Sequence, residues 1–132
     1  MRLEHIGIAV TNSTKSNDLF ERLLGTKVYK QETVESEKVD TYFYDVETAK
    51  LELLAATEEG SVIEKYISKR GEGIHHLAFE VNDLPSEVDR LKKEGFEFIN
   101  ESPKSGADNK LICFLHPKST NGVLVELCQS IT

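Results

Sequence analysis

From Leu3 to Val10 the chain reads LEHIGIAV. Apolar and small or polar positions alternate there, and Ile and Val dominate, which predicts a strand over residues 3–10. The period then lengthens. Leu19, Phe20, Leu23 and Leu24 recur at helical spacing over 13–24, and Gly25 supplies a stop. VDTYFYDV and KLELLAA, at 38–46 and 50–56, predict two strands joined by a tight polar connection. Ser61 followed by Glu64 is a capping box that opens a helix to about Arg70. A strand over 74–82 follows, then a helix over 85–94 with Val88 and Leu91 inward and Gly95 at its end. Strands are expected at 96–100, 110–116 and 122–128. Proline is confined to Pro85, Pro103 and Pro117, and no low-complexity run marks a linker.

The second half repeats the first. EHIGIAV aligns with HHLAFEV, so that His5 falls on His76, and KLELLA aligns with LVELCQ, so that Glu52 falls on Glu126. Each half reads strand–helix–strand–strand–strand, with one His on its first strand and one Glu on its last. Side chains alternate between the faces of a strand. His5, Gly7 and Ala9 therefore share a face against Ile6, Ile8 and Val10, while His76 and Ala78 share one against Leu77, Phe79 and Val81. Glu52 opposes Leu51 and Leu53, and Glu126 opposes Val125 and Leu127. All four polar groups lie opposite an apolar face suited to a helix, and Gly7 or Ala78 leaves room beside each histidine. His75 has the other parity, towards the helix side or the strand's edge. A lone strand histidine is usually a hydrogen-bonded or surface residue and a lone strand Glu a solvated one. Four in register across two repeats point instead to a shared metal site.

Composition narrows the chemistry. At 132 residues the chain suits one domain or two small modules sharing a core. Its net charge of −7 argues against a nucleic-acid partner, and no apolar run approaches the ~20 residues of a membrane span. Two cysteines, Cys113 and Cys128, are no disulfide framework; with no leader pattern before Leu3, a reduced cytoplasmic protein is expected. Two imidazoles and two carboxylates suit a divalent cation, which their summed charge of about −2 would neutralise. The lack of a thiolate argues against a structural zinc site. Four ligands on an octahedral ion leave two positions for water or a chelating substrate. His116, before Pro117, is assigned no chemistry. Lys104, Lys110 and Lys118, read as loop lysines, could form a positive rim or be ordinary solvated residues.

HIGIAV at 5–10, LELLAAT at 51–57, GEGIHHLAFEV at 71–81 and FLHPKSTNGVLVEL at 114–127 together resemble the vicinal oxygen chelate superfamily, the glyoxalase and bleomycin-resistance fold. Within it they are most similar to the methylmalonyl-CoA epimerases. The resemblance implies an α+β fold of two paired βαβββ modules forming a curved mixed sheet around a metal site. It implies one domain over 1–132, with a first module at about 1–57, a connecting helix at about 61–70 and a second module at about 73–130. The metal ligands would be His5, Glu52, His76 and Glu126, around cobalt, or alternatively manganese, nickel, zinc or magnesium. The implied reaction, part of propionate metabolism, is R/S interconversion at C2 of methylmalonyl-CoA, by proton abstraction through a metal-stabilised enolate, with Glu126 catalytic. The family's second proton-carrying glutamate falls near Thr41, which cannot be a base; Asp40, Glu37 or a metal-held water would have to substitute. An acyl-CoA substrate and a homodimer follow from the same resemblance. A glyoxalase I-like lyase acting on a glutathione hemithioacetal, and a non-catalytic small-molecule or antibiotic-binding protein of the same fold, are the alternatives. An extradiol dioxygenase would need only two His and one carboxylate, and Glu52 argues against it.

Overall fold

The structure, a computed structural model, describes residues 1–131. Contacts gather them into two compact units, one of residues 5–75 and the other of residues 1–4 with the chain from His76 onward. The elements of the first half are β1 (Arg2–Ala9), α1 (Ser13–Leu24), β2 (Lys30–Val34), β3 (Val39–Asp45), β4 (Lys50–Ala56) and α2 (Val62–Arg70). Its strands lie in the order β2-β3-β4-β1; β3 is antiparallel to both neighbours and β1 runs parallel to β4.

Helix α1 forms between the predicted ends. The Asn12 side chain accepts a hydrogen bond from the Lys15 N–H at 3.0 Å. At the other end Gly25 turns left-handed at φ 70°, a conformation that is strained for a residue with a Cβ, and donates to the Glu21 carbonyl at 2.9 Å. Ser61 caps α2 by accepting from the Ile63 N–H at 3.1 Å. Glu64 reaches back one residue further than the reciprocal box requires, to the Gly60 N–H at 3.3 Å.

The two helices cover different faces. Phe20 and Leu24 of α1 pack with Ile8, Val10, Leu51, Leu53 and Tyr44, on the face turned away from His5 and Glu52. Ile63, Tyr66 and Ile67 of α2 pack with Ala9, Val39 and Leu54, at the far end of the face that carries His5 and Glu52. Removing a side chain such as Ile63 from water stabilises the fold by roughly 1.5–3 kcal/mol. The burial of α2 thus closes one end of the His5–Glu52 face and leaves the other end for chemistry.

The second half contains β5 (Gly73–Glu80), α3 (Leu84–Lys93), β6 (Lys104–Gly106), β7 (Lys110–Leu115) and β8 (Val125–Ser130), with strands in the order β5-β8-β7-β6. Strand β5 is parallel to β8, and β7 is antiparallel to β8 and β6. Leu84, Val88 and Leu91 of α3 pack on Val81, Cys113, Leu115 and Leu127. Both cysteines are free. Cys113 stands opposite Leu127 while its neighbour Ile112 stands opposite Cys128, so the two thiols leave the sheet on opposite faces. Burial pushes the Cys128 thiol up to about 12, helped by the charge of Glu126.

Three elements differ from expectation. Residues 96–100 do not form a strand; Phe98 and Leu115 make one isolated bridge. Phe96 and Phe98 alternate onto the core as the pattern predicts, but the Asn100 side chain, not a backbone carbonyl, accepts the Phe114 N–H at 3.2 Å and ends the pairing. The module's second strand is instead β6. Strand β8 begins at Val125 rather than 122, because a turn holds Gly122 at φ 84°, its N–H bonded to the Pro117 carbonyl at 2.8 Å. Strand β2 is the strand that the repeat implies between the first helix and 38–46 but that no run of the pattern located.

Candidate metal and catalytic site

In the first unit the parallel pairing of β1 with β4 sets Gly7 opposite Glu52, and the antiparallel pairing with β3 sets Phe43 on the other side. The second unit repeats the arrangement, with Ala78 on one side of Glu126 and Phe114 on the other. Each glutamate stands between a residue with little or no side chain and a phenylalanine. The small residue leaves its side of the glutamate uncrowded, and the ring stands on the other. The His76 ring meets the Phe114 ring edge-on at 6.0 Å. The equivalent phenylalanines were not foreseen. Their signal was there, since each sits on the strand preceding its glutamate's, but only the register reveals it.

Each glutamate is paired with the histidine of its own module. His5 Nδ1 lies 3.1 Å from Glu52 Oε2, and His76 Nε2 lies 3.4 Å from Glu126 Oε1. All four residues are buried, with 4–6% of their surface exposed. Buried carboxylates are costly unless a charge or several hydrogen bonds offset them. One nitrogen and one oxygen donor per module, without thiolate, is a set that a divalent cation of borderline or hard character fits. The described structure therefore places all four sequence-predicted residues in like surroundings, two in each unit.

Other polar residues of the sequence reading sort themselves by location. His75 faces away from its neighbour's environment and packs edge-on against Tyr66 of α2, ring centroids 4.8 Å apart; burial pushes its pKa down to about 4. His116 caps the turn after β7, its Nδ1 accepting from the Lys118 N–H at 3.1 Å. Two of the three lysines suggested as a loop rim are on strands. Lys110 is 8% exposed and binds Glu80 at 2.9 Å and the Ser130 hydroxyl at 2.8 Å. Together with Arg2 these partners hold the Glu80 carboxyl well below the usual range, at about 2. Lys104 begins β6, and Lys118 is ion-paired with Glu97 at 2.6 Å. Lys110 braces β5, β7 and β8 against each other; it is no part of a solvated rim.

Thr41 lies buried on β3 and shares the face of Phe43 and Glu52. Asp40 has the opposite parity and accepts a hydrogen bond from the Thr33 hydroxyl, so it is turned away from that face. Glu37 ends a one-turn 3-10 helix, residues 35–37, ahead of β3.

The model of the Glyoxalase/Bleomycin resistance protein/Dioxygenase superfamily matches residues 4–114. The chain is 38% identical to the ethylmalonyl-CoA/methylmalonyl-CoA epimerase of Cereibacter sphaeroides, over 97% of each chain. The chain belongs to the methylmalonyl-CoA epimerase family within that superfamily. Solved epimerases share its fold. That of Mycobacterium tuberculosis superposes with a TM-score of 0.93 at 33% identity, covering 99% of this chain and 89% of the other. A variant of the Streptomyces coelicolor epimerase, in complex with 2-nitronate-propionyl-CoA, gives 0.91 at 31% identity, covering 100% and 96%. The paired βαβββ modules are those of this family, and no helix among the described residues is long and apolar enough to cross a membrane.

Proposed function

We propose that the chain is a divalent-metal-dependent epimerase that inverts C2 of methylmalonyl-CoA, with residues 1–132 acting as one domain. The observation that carries the reading is the pair of equivalent buried His–Glu couples, each flanked by a small residue and a phenylalanine. His5, Glu52, His76 and Glu126 would hold the metal, for which cobalt is the first candidate. When bound, the ion supplies a Lewis acid that steadies the negative charge of an enolate. The protein's residues do the rest. The strand faces hold the ligands in fixed positions, Phe43 and Phe114 flank the glutamates, and Glu126 moves the proton at C2. Its burial keeps the competing solvent away from the carbon. Relatives named for this reaction, one of them solved with an acyl-CoA analogue, support an acyl-CoA substrate. Two free thiols suit a reducing, cytoplasmic setting.

The same donor set would serve a glyoxalase I-like lyase, so the test runs both substrates. Purified metal-loaded protein should interconvert the epimers of methylmalonyl-CoA, lose that activity on chelation and recover it with added metal. It should leave the methylglyoxal–glutathione hemithioacetal unchanged. Turnover of the hemithioacetal alone would transfer the assignment to the lyase.

A further inference from the structure

Inversion by proton removal and return needs a carboxylate or similar group at each face of the carbon, and Glu126 supplies one. The first module must supply the other, a need that rests on the epimerase reading. Thr41 has no basic group, Asp40 is turned away with Thr33, and Glu37 lies in the turn before β3. Strand β2 brings a different carboxylate. Its register sets Glu32 directly opposite Thr41, and Lys30 opposite Phe43, which is itself opposite Glu52. Residues directly opposite in a ladder share a face, so Glu32, Thr41, Phe43 and Glu52 lie on one side of the sheet. Burial agrees: Lys30, Glu32 and Val34 are half-buried, while Gln31 and Thr33 between them are exposed.

The local contacts aim Glu32 along that face. Its Oε1 is 3.4 Å from Lys30 Nζ, and Lys30 Nζ sits 5.1 Å from the centre of the Phe43 ring. Phe43 stands beside Glu52. Two strand spacings separate β2 from β4, about 10 Å. Thr41, which stands between them on β3, is buried and has a short side chain. In the second module the matching positions read Lys104 opposite Ile112, so a carboxylate here is no requirement of the fold.

We propose that Glu32 is the second proton-transfer residue of the reaction. In one direction the Glu32 carboxylate accepts the C2 proton while the C–H electron pair passes into the thioester as an enolate. Glu126, carrying a proton, then delivers it to the opposite face of C2. One proton leaves the carbon and one arrives; the charge moves from Glu32 to Glu126, and exchange with solvent or the reverse reaction resets the pair.

Washout of the C2 proton in D₂O, measured separately from each epimer with metal-loaded protein, tests this. For Glu32→Gln the expected result is interconversion slowed by about 10²–10⁴-fold, metal content equal to wild type, and washout from one epimer within about tenfold of the wild-type rate. That epimer is the one whose proton faces Glu126. A purely structural role cannot split the two epimers in this way. Glu32→Asp keeps a carboxylate on a shorter arm and should regain part of the interconversion. Interconversion close to wild type in Glu32→Gln would overturn the proposal and leave the epimerase reading standing. So would equal loss of washout from both epimers in a folded, metal-loaded variant. If the wild-type protein washes out neither epimer, the epimerase reading itself fails.

Discussion

Glu126→Gln, brought to full metal occupancy, is expected to turn methylmalonyl-CoA over slower than the wild type by on the order of 10²–10⁴-fold, the usual worth of general acid–base catalysis. A glutamine can still offer an oxygen to a cation, so excess metal should fill the site. It cannot accept the C2 proton at any metal concentration. Glu52→Gln is the matched control, because Glu52 occupies the equivalent position in the first module, between Gly7 and Phe43. That variant should keep substantial activity once metallated, since its role is confined to holding the ion. Steady-state rates at saturating metal, with bound metal measured on the same samples, separate the two roles. Equal, near wild-type rates for both variants would reduce Glu126 to a ligand.

His76→Ala and His75→Ala should differ sharply in metal binding although the residues are adjacent. The His76 ring is paired with Glu126 at 3.4 Å on the face of Ala78. The His75 ring is packed on Tyr66. Changing partners that merely orient a ligand typically costs 10–100-fold in metal affinity, so loss of the imidazole itself should weaken binding by more than about 100-fold. His75→Ala should leave affinity intact and cost on the order of 1 kcal/mol of stability through the lost ring contact. Titration with cobalt, followed by its absorption spectrum, and thermal unfolding of the same proteins distinguish these outcomes. Comparable metal affinities in the two variants would remove His76 from the ligand set.

These expectations were legible in the sequence wherever a period or a repeat carried them. Parity alone separated His76 from His75, and Glu52 from Leu51 and Leu53, because an alternating strand allows only one arrangement of faces. Helix α1 was legible because Leu19, Phe20, Leu23 and Leu24 recur at helical spacing and Gly25 has the local job of ending it, while the Asn12 cap came only with the structure. Strand β2 was not legible. KQETV has polar residues on both faces, half-buried Lys30 and Glu32 on one and exposed Gln31 and Thr33 on the other, so it has no apolar period. Missing β2 also hid Glu32, so the substitutes named were Asp40, Glu37 or a metal-held water; Asp40, next to Thr41 on an alternating strand, already had the wrong parity, and its bond from Thr33 bears that out. The segment 96–100 erred in the opposite sense. Its alternating Phe96 and Phe98 are real core contacts, yet a period of two specifies which side chains are buried, not whether the backbone pairs. Lys110 shows the same limit for charge: nothing in its neighbours signals that Glu80 and Ser130 will surround it.

On the proposed function, a divalent ion held by the two His–Glu couples makes the C2 proton labile. The most direct measurement starts from metal-free protein and adds cobalt stepwise in D₂O, following loss of the C2 proton of methylmalonyl-CoA by NMR. No exchange is expected without metal, then a rise in proportion to bound ion and a plateau at one ion per chain. Exchange at full rate in the metal-free protein, or none at full loading, would contradict it.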